Sequence, residues 1–180
     1  LKPYDFGRAS DKELYACQFP QGRRNDAANW FRANPHRLHL GCAGFEGLSP
    51  EEIGDIDQTL YLWNGEIISS FSRGGKRTVV HTCVDPSKDM MCVSVDSEEA
   101  IPVALHFPYP TGGGYDDACD WDSDDRHSTR IISCRGGVAV LERTIDDTVY
   151  YVTLRTQGAS KPRMAGPNKV VVTPRTGVWS

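Results

Sequence analysis

From Gln58 onward, apolar and polar residues alternate with a period of two, the pattern of half-buried β-strands. The alternation predicts a hairpin with strands over Gln58–Trp63 and Glu66–Ser72, joined by a primed-type turn at Asn64–Gly65, and a second turn at Gly74–Gly75. Further strands are predicted at Arg77–Val84, Met90–Asp96, Ile101–Phe107, Thr129–Cys134, Val138–Thr144, Val149–Thr156 and Lys169–Thr173, and a further turn at Asp146–Asp147. We expect the first five strands to form one antiparallel meander.

The sequence before Gln58 lacks this period, and its capping and proline signals predict two short helices. One spans Asn25–Ala33 and ends before Pro35, because proline disfavours the helical conformation of the residue that precedes it. The other begins at Ser49, with Pro50 in the first helical position and two acidic residues in the first turn. No long amphipathic helix is present in the pattern. The sequence therefore predicts an all-β chain, an antiparallel β-sandwich in a single domain over residues 1–180.

Composition and charge narrow the classes of function. Hydrophobic residues make up 39% of the chain and charged residues 24%, as in globular proteins. The net charge of −4 argues against a general nucleic-acid binder, which needs a basic face. No apolar run approaches the roughly 20 residues that span a bilayer. We therefore expect neither nucleic acid nor a membrane as partner, and the absence of Walker A and G-x-G-x-x-G motifs leads us to expect no cofactor.

The six cysteines allow disulfides without establishing them. Cys83 and Cys92 flank the turn Asp85–Asp89, so a hairpin would place them nearly opposite each other. A disulfide and a pair of small buried hydrophobic side chains are both open interpretations. The compartment also stays open, with a secreted or periplasmic location favoured over the cytoplasm.

The segment Asn29–Gly41 combines residue types that neither a solvated loop nor a core strand requires. Trp30 and Phe31 suit a site that stacks an aromatic ring on a ligand, and the polar side chains around Pro35 suit hydrogen bonds to hydroxyl groups. Structural histidines, or an arginine that braces the acidic loop further along, are the competing interpretations. The polar candidates of this segment are Arg32, Asn34, His36 and Arg37.

The stretch from Pro108 to Ser128 is too long to be a plain connection, and its aromatic residues favour an ordered, functional loop. The alternating Asp120, Asp122 and Asp124 suggest a calcium site, but the EF-hand pattern fails because its glycine and terminal glutamate are missing. We therefore assign no metal site. A solvated acidic loop and carboxylates that contact a carbohydrate remain open interpretations of this loop.

Outside this loop, Trp63 is either a core residue or a platform for a sugar ring.

Several segments together resemble the N-terminal β-sandwich region of glycosidases with a six-hairpin (α/α)6 barrel, related to glycoside hydrolase family 65. The resemblance extends over about Asn29–Arg155. The matching segments are Trp30–Gly41, Asp57–Gly65, Phe107–Pro110, Cys119–Trp121 with His127 and Thr129, and Asp146–Val152. The first and the fourth of these segments are the specific ones.

The resemblance implies a galactose-mutarotase-like supersandwich whose catalytic carboxylates lie in a C-terminal (α/α)6 barrel of the same polypeptide. Because the chain starts at Leu1 and carries no helical repeat, we expect it to be a fragment of that longer protein. Its expected role is to pack on the barrel and to lend loops to the sugar site. The resemblance implies these substrate-binding residues: Arg32, Asn34, His36, Arg37, Asp120, Trp121 and His127.

The leading hypothesis is therefore the accessory sandwich of a carbohydrate-active enzyme, an inverting glycoside hydrolase or its phosphorylase variant. Glycoside hydrolysis requires two carboxylates at a defined separation, and the sequence does not assign Glu46, Asp117 or Asp120 to that task. A free-standing carbohydrate-binding module, an aldose epimerase on the same fold, and a structural interaction domain are the alternatives. The interaction domain would expose an apolar patch where its partner is missing.

Overall fold

The computed structural model describes residues 2–4, 13–15, 22–23, 26–27, 38–112 and 118–180. The chain divides into two compact units. The first contains Leu1–His39 and Pro110–Asp120, and the second contains Leu40–Tyr109 and Trp121–Ser180.

The chain is all-β and sandwich-like, as the alternation predicts, and every strand pair is antiparallel where its register is defined. In the described residues the strands are β1 (Lys2–Tyr4), β2 (Glu13–Tyr15), β3 (Cys42–Phe45), β4 (Ile53–Tyr61), β5 (Glu66–Arg73), β6 (Lys76–Val84), β7 (Met91–Ser97), β8 (Val103–His106), β9 (Tyr109–Pro110), β10 (Cys119–Asp120), β11 (His127–Arg135), β12 (Val138–Ile145), β13 (Thr148–Arg155), β14 (Arg163–Gly166), β15 (Lys169–Val172) and β16 (Val178–Trp179).

The second unit contains three larger sheets. Their strand orders are β16-β7-β6-β5-β4, β14-β15-β8-β3 and β11-β12-β13. The core lies between the four-stranded and three-stranded sheets, where Val170 of β15 and Leu141 of β12 are fully buried with Phe107. The rings of Phe45 and Phe71 meet edge to face at 5.6 Å and join the four-stranded sheet to the five-stranded one. Layers of this kind bury one face of each sheet.

The helix predicted to begin at Ser49 is present but brief. Pro50–Glu52 forms a single 3-10 turn, and the side chain of Ser49 accepts a hydrogen bond from the Glu51 N–H at 3.4 Å. A second 3-10 turn covers Asp124–Arg126. Most of the predicted helix Asn25–Ala33 lies outside the described residues, although Asp26 and Ala27 are helical. No helix in the described ranges has the length and apolarity to cross a membrane.

Two local predictions are wrong. The β4–β5 connection is a four-residue loop, because Tyr61 pairs directly with Glu66, and the Gly65 N–H donates to the Tyr61 carbonyl at 2.9 Å. The predicted meander has four strands rather than five. Strand β8 leaves it to pair with β3 and β15, and the last strand β16 takes the place beside β7.

Candidate functional site

The four-stranded sheet has one apolar face and one polar face because side chains alternate along each strand. On β8, Leu105 packs against the core and its neighbour His106 points the other way. On β3, Phe45 contacts Phe71, so Gly44 lies on the same outer face as His106. Polar residues in these central strands therefore collect on one side of the sheet.

A shallow, open cavity of about 330 Å³ lies on this outer face. This is the lower end of the size range of small-molecule sites. Its lining brings together side chains that are distant in sequence. They include Gly44, Glu46, Ala104, His106, Trp121 and Lys169.

The cavity has an aromatic side and a charged side. The rings of His106 and Trp121 lie with their centroids 4.8 Å apart and their planes at 46°. The Lys169 Nζ donates to the Glu46 Oε1 at 2.7 Å, and both side chains are about one-third exposed. An indole offers an apolar face, whereas a carboxylate accepts and an ammonium donates hydrogen bonds.

Two glycines shape the strand that supplies the cavity floor. At Gly44 an added Cβ would meet nothing within 4 Å, so the floor is open where every other residue would place a side chain. At Gly41 the backbone has φ 108°, and an added Cβ would lie 2.6 Å from the Phe107 ring. Only glycine adopts this conformation readily, and it lets the chain pass over Phe107 into β3.

A second polar cluster is buried inside the sandwich around Arg143, which is fully buried. Its guanidinium lies 4.8 Å from the centroid of the Phe107 ring and donates to the Thr129 Oγ1 at 2.6 Å and the Asn168 Oδ1 at 2.9 Å. It also donates to the His127 Nδ1 at 2.8 Å. A buried charge is tolerated when its donors are satisfied in this way, so the cluster braces β11, β12 and the β14–β15 turn.

The same contacts orient the His127 ring. A guanidinium can only donate, so the His127 Nδ1 facing Arg143 accepts its hydrogen bond, and the Asn168 Nδ2 lies 3.3 Å from the Nε2. Asn168 completes the cluster by donating from Nδ2 to the Asp124 Oδ1 at 2.9 Å. The 3-10 turn at Asp124–Arg126 is thereby tied to the core through a neutral amide. The His127 side chain is almost wholly buried.

Tyr109 occupies a third polar position in the second unit. Its hydroxyl donates to the Asp146 carboxylate at 3.1 Å and accepts from the Arg126 Nη2 at 2.7 Å. Burial raises the pKa of Tyr109, and the Asp146 hydrogen bond raises it further, while the charge of Arg126 opposes the change. The contact fixes the Asp146–Asp147 turn predicted from sequence against β9.

The predicted site residues do not gather at one place in the described structure. Trp121 lines the cavity, whereas His127 lies in the buried cluster and Asp120 lies on β10 of the first unit. Trp63 is fully exposed in the β4–β5 loop rather than in the core. Four predicted residues lie outside the described residues: Arg32, Asn34, His36 and Arg37.

Sequence reasoning missed most of the cavity. His106 interrupts a run of apolar strand residues and Lys169 stands directly before one, which was the available signal, but the two residues are 63 positions apart and meet only in the folded sheet. The bracing arginine that stayed open as an alternative for Asn29–Gly41 falls outside the described residues, and a buried arginine of the described structure is Arg143, from β12. Among the described residues no group of three or more histidine, cysteine or acidic side chains could hold a metal ion.

Comparisons of the chain with protein-family models, with curated proteins and with solved structures found no match.

Proposed function

We propose that this chain is a carbohydrate-binding β-sandwich that serves as the accessory domain of a carbohydrate-active enzyme, with its sugar site in the cavity of the four-stranded sheet. The observation that supports this is the juxtaposition of an aromatic wall, a charged pair and an open floor. These are Trp121 with His106, Glu46 with Lys169, and Gly44.

The arrangement matches what a sugar ring presents. A pyranose has an apolar face of C–H groups, which an indole can cover, and a rim of hydroxyls that donate and accept hydrogen bonds. In the proposed complex Trp121 covers the ring face, Lys169 donates to hydroxyl oxygens, and Glu46 accepts from hydroxyl protons. The Glu46–Lys169 contact holds both polar groups in place before the ligand arrives, which lowers the ordering cost of binding.

The carboxylate inventory favours binding over hydrolysis in this cavity. Glycoside hydrolysis requires an acid and a second carboxylate on either side of the scissile bond. Of the described residues that line the cavity, Glu46 is the one carboxylate. We therefore assign the chemistry to a separate (α/α)6 barrel of the same polypeptide, as the resemblance implies, with hydrolysis or phosphorolysis as its reaction.

The experiment is a titration of the ¹⁵N-labelled chain with a panel of α- and β-linked mono- and disaccharides. We expect saturable, millimolar binding, with amide shifts concentrated at Gly44, Ala104 and Lys169. Shifts confined to the β4–β5 loop around Trp63, or no shift with any sugar, would remove the proposed site.

An aldose epimerase is the second candidate, because His106 and Glu46 line the same cavity. Such an enzyme needs one group that takes the proton from the anomeric hydroxyl and one that protonates the ring oxygen, so that the ring opens and recloses on the other face. Polarimetry of freshly dissolved α-D-galactose tests it. Equilibration faster than the spontaneous rate, abolished by His106→Ala, would establish this function in place of simple binding.

A further inference from the structure

Cys83 and Cys92 are direct partners across the β6–β7 ladder. Both side chains are exposed and both thiols are free. They stand close to the turn that joins the two strands, where Asp85 and Met90 form the last paired position. Two thiols placed opposite each other near a hairpin turn are close enough for chemistry between them.

The type of pairing defines their separation. The Asp85 N–H donates to the Met90 carbonyl at 2.9 Å, so these opposite residues form a hydrogen-bonded pair. Hydrogen-bonded and non-bonded pairs alternate along an antiparallel ladder, and Cys83 and Cys92 lie two positions further along. They are therefore also a hydrogen-bonded pair, with Cα atoms about 5.5 Å apart, which lies inside the range that a disulfide spans.

We propose that Cys83 and Cys92 form a reversible disulfide. The Cβ atoms of such a pair lie about 5 Å apart, wider than the 3.5–4.5 Å of a relaxed disulfide, so the bond must draw the two strands together. The neighbouring turn at Asp85–Met90 is mostly exposed and allows this movement. Strained and exposed disulfides are the readily reduced ones, so the bond forms under oxidising conditions and opens again with a thiol reductant.

The reaction proceeds by thiol–disulfide exchange with oxidised glutathione. One cysteine thiolate attacks a glutathione sulfur and releases one glutathione thiolate, which gives a mixed disulfide. The second thiolate attacks the protein sulfur of that mixed disulfide and releases the other glutathione thiolate. Two protein thiols are oxidised, one glutathione disulfide is reduced to two thiols, and the protons pass from the cysteines to the released thiolates.

The test equilibrates the folded wild-type chain in glutathione buffers of rising oxidised fraction, followed by acid quenching, alkylation and peptide mapping. We expect a linked peptide that joins Cys83 to Cys92, reversed by excess reduced glutathione, while Cys134 stays alkylatable throughout. Glutathionylation of Cys83 and Cys92 without a link between them, or a link from either one to a different cysteine, overturns the proposal.

A second measurement uses phenylarsine oxide, which is held firmly only where it bridges two neighbouring thiols. We expect retention by the wild type and by Cys134→Ser, and loss of retention in Cys83→Ser and in Cys92→Ser. If both single variants retain phenylarsine oxide as well as the wild type does, or if the wild type retains none, the two thiols are not close neighbours.

Discussion

Lys169 and Glu46 are 123 residues apart in sequence, and the Nζ of one lies 2.7 Å from the Oε1 of the other. Lys169 begins β15 and Glu46 follows β3, with β8 between the two strands. Both side chains line the same cavity as Gly44, where the floor carries no side chain. The folded sheet thus brings an acid and a base from distant parts of the chain to one side of an open floor.

Replacing Trp121 should abolish sugar binding without unfolding the chain. Trp121→Ala removes the apolar wall of the cavity, while Trp63→Ala, in the fully exposed β4–β5 loop, is the matched control. We expect sugar affinity to fall beyond detection in the first variant and to stay unchanged in the second, by isothermal titration calorimetry. The opposite result would make Trp63 the platform for the sugar ring.

The Glu46–Lys169 pair should matter for the ligand far more than for stability. Both side chains are partly exposed, and such pairs contribute about 0–1 kcal/mol once solvent screening is included. Glu46→Gln and Lys169→Met should each change the free energy of unfolding by less than about 1 kcal/mol while weakening sugar binding several-fold. Urea denaturation beside calorimetry separates the two effects, and a large loss of stability with unchanged affinity would make the pair a structural brace.

The Arg143 cluster, unlike the Glu46–Lys169 pair, should matter for stability rather than for ligand binding. Arg143→Met leaves Thr129, Asn168 and His127 with buried polar atoms that have lost a donor, which should cost about 3 kcal/mol or more of folding free energy. The control is Arg130→Met, whose exposed guanidinium pairs with Glu142 at the surface and should contribute far less to stability than Arg143 does. Denaturation midpoints check the difference, and equal effects would refute the bracing role of the buried cluster.

The ionisation of Tyr109 should lower the free energy of unfolding at alkaline pH. Its pKa in the folded chain is raised above the ordinary value of 10.0, mainly by burial. Above pH 10 the unfolded chain loses this proton before the folded chain does, so the Tyr109 contribution is complete below that pH and disappears as pH rises through the folded pKa. Tyr109→Phe should show a smaller decline in unfolding free energy above pH 10, and absorbance at 295 nm should show one fewer late-titrating tyrosine.

How much of the fold could be predicted depended on how local each feature is. The predicted turns at Gly74–Gly75 and Asp146–Asp147 are confirmed, because the residues that determine a tight turn lie within the turn itself. The Asn64–Gly65 turn failed because Tyr61 hydrogen-bonds both Asn64 and Gly65 within a wider loop. Alternation alone does not specify which sheet a strand joins.

Most of the candidate site could not be predicted from the sequence, because its residues come from strands that meet only in the folded sheet. His106 and Lys169 pair in one row with Cys42, and that row requires the register of three distant strands. Trp121, which the resemblance implied as a site residue, lines the cavity, and an aromatic residue in a polar loop stands out whatever the topology. His127 carried a similar signal but is held in the buried cluster, where its hydrogen bond with Arg143 accounts for its presence.

The central claim is that the open floor at Gly44 is where a sugar binds, and Gly44→Leu tests it most directly. An added Cβ meets nothing within 4 Å there, so leucine should fill the cavity without disturbing the sheet. Gly54→Leu, on the exposed strand β4, is the matched control. Calorimetric titration of both variants with the sugar that binds the wild type should show binding lost in Gly44→Leu and kept in Gly54→Leu. Undiminished binding by a folded Gly44→Leu variant would contradict the proposed site.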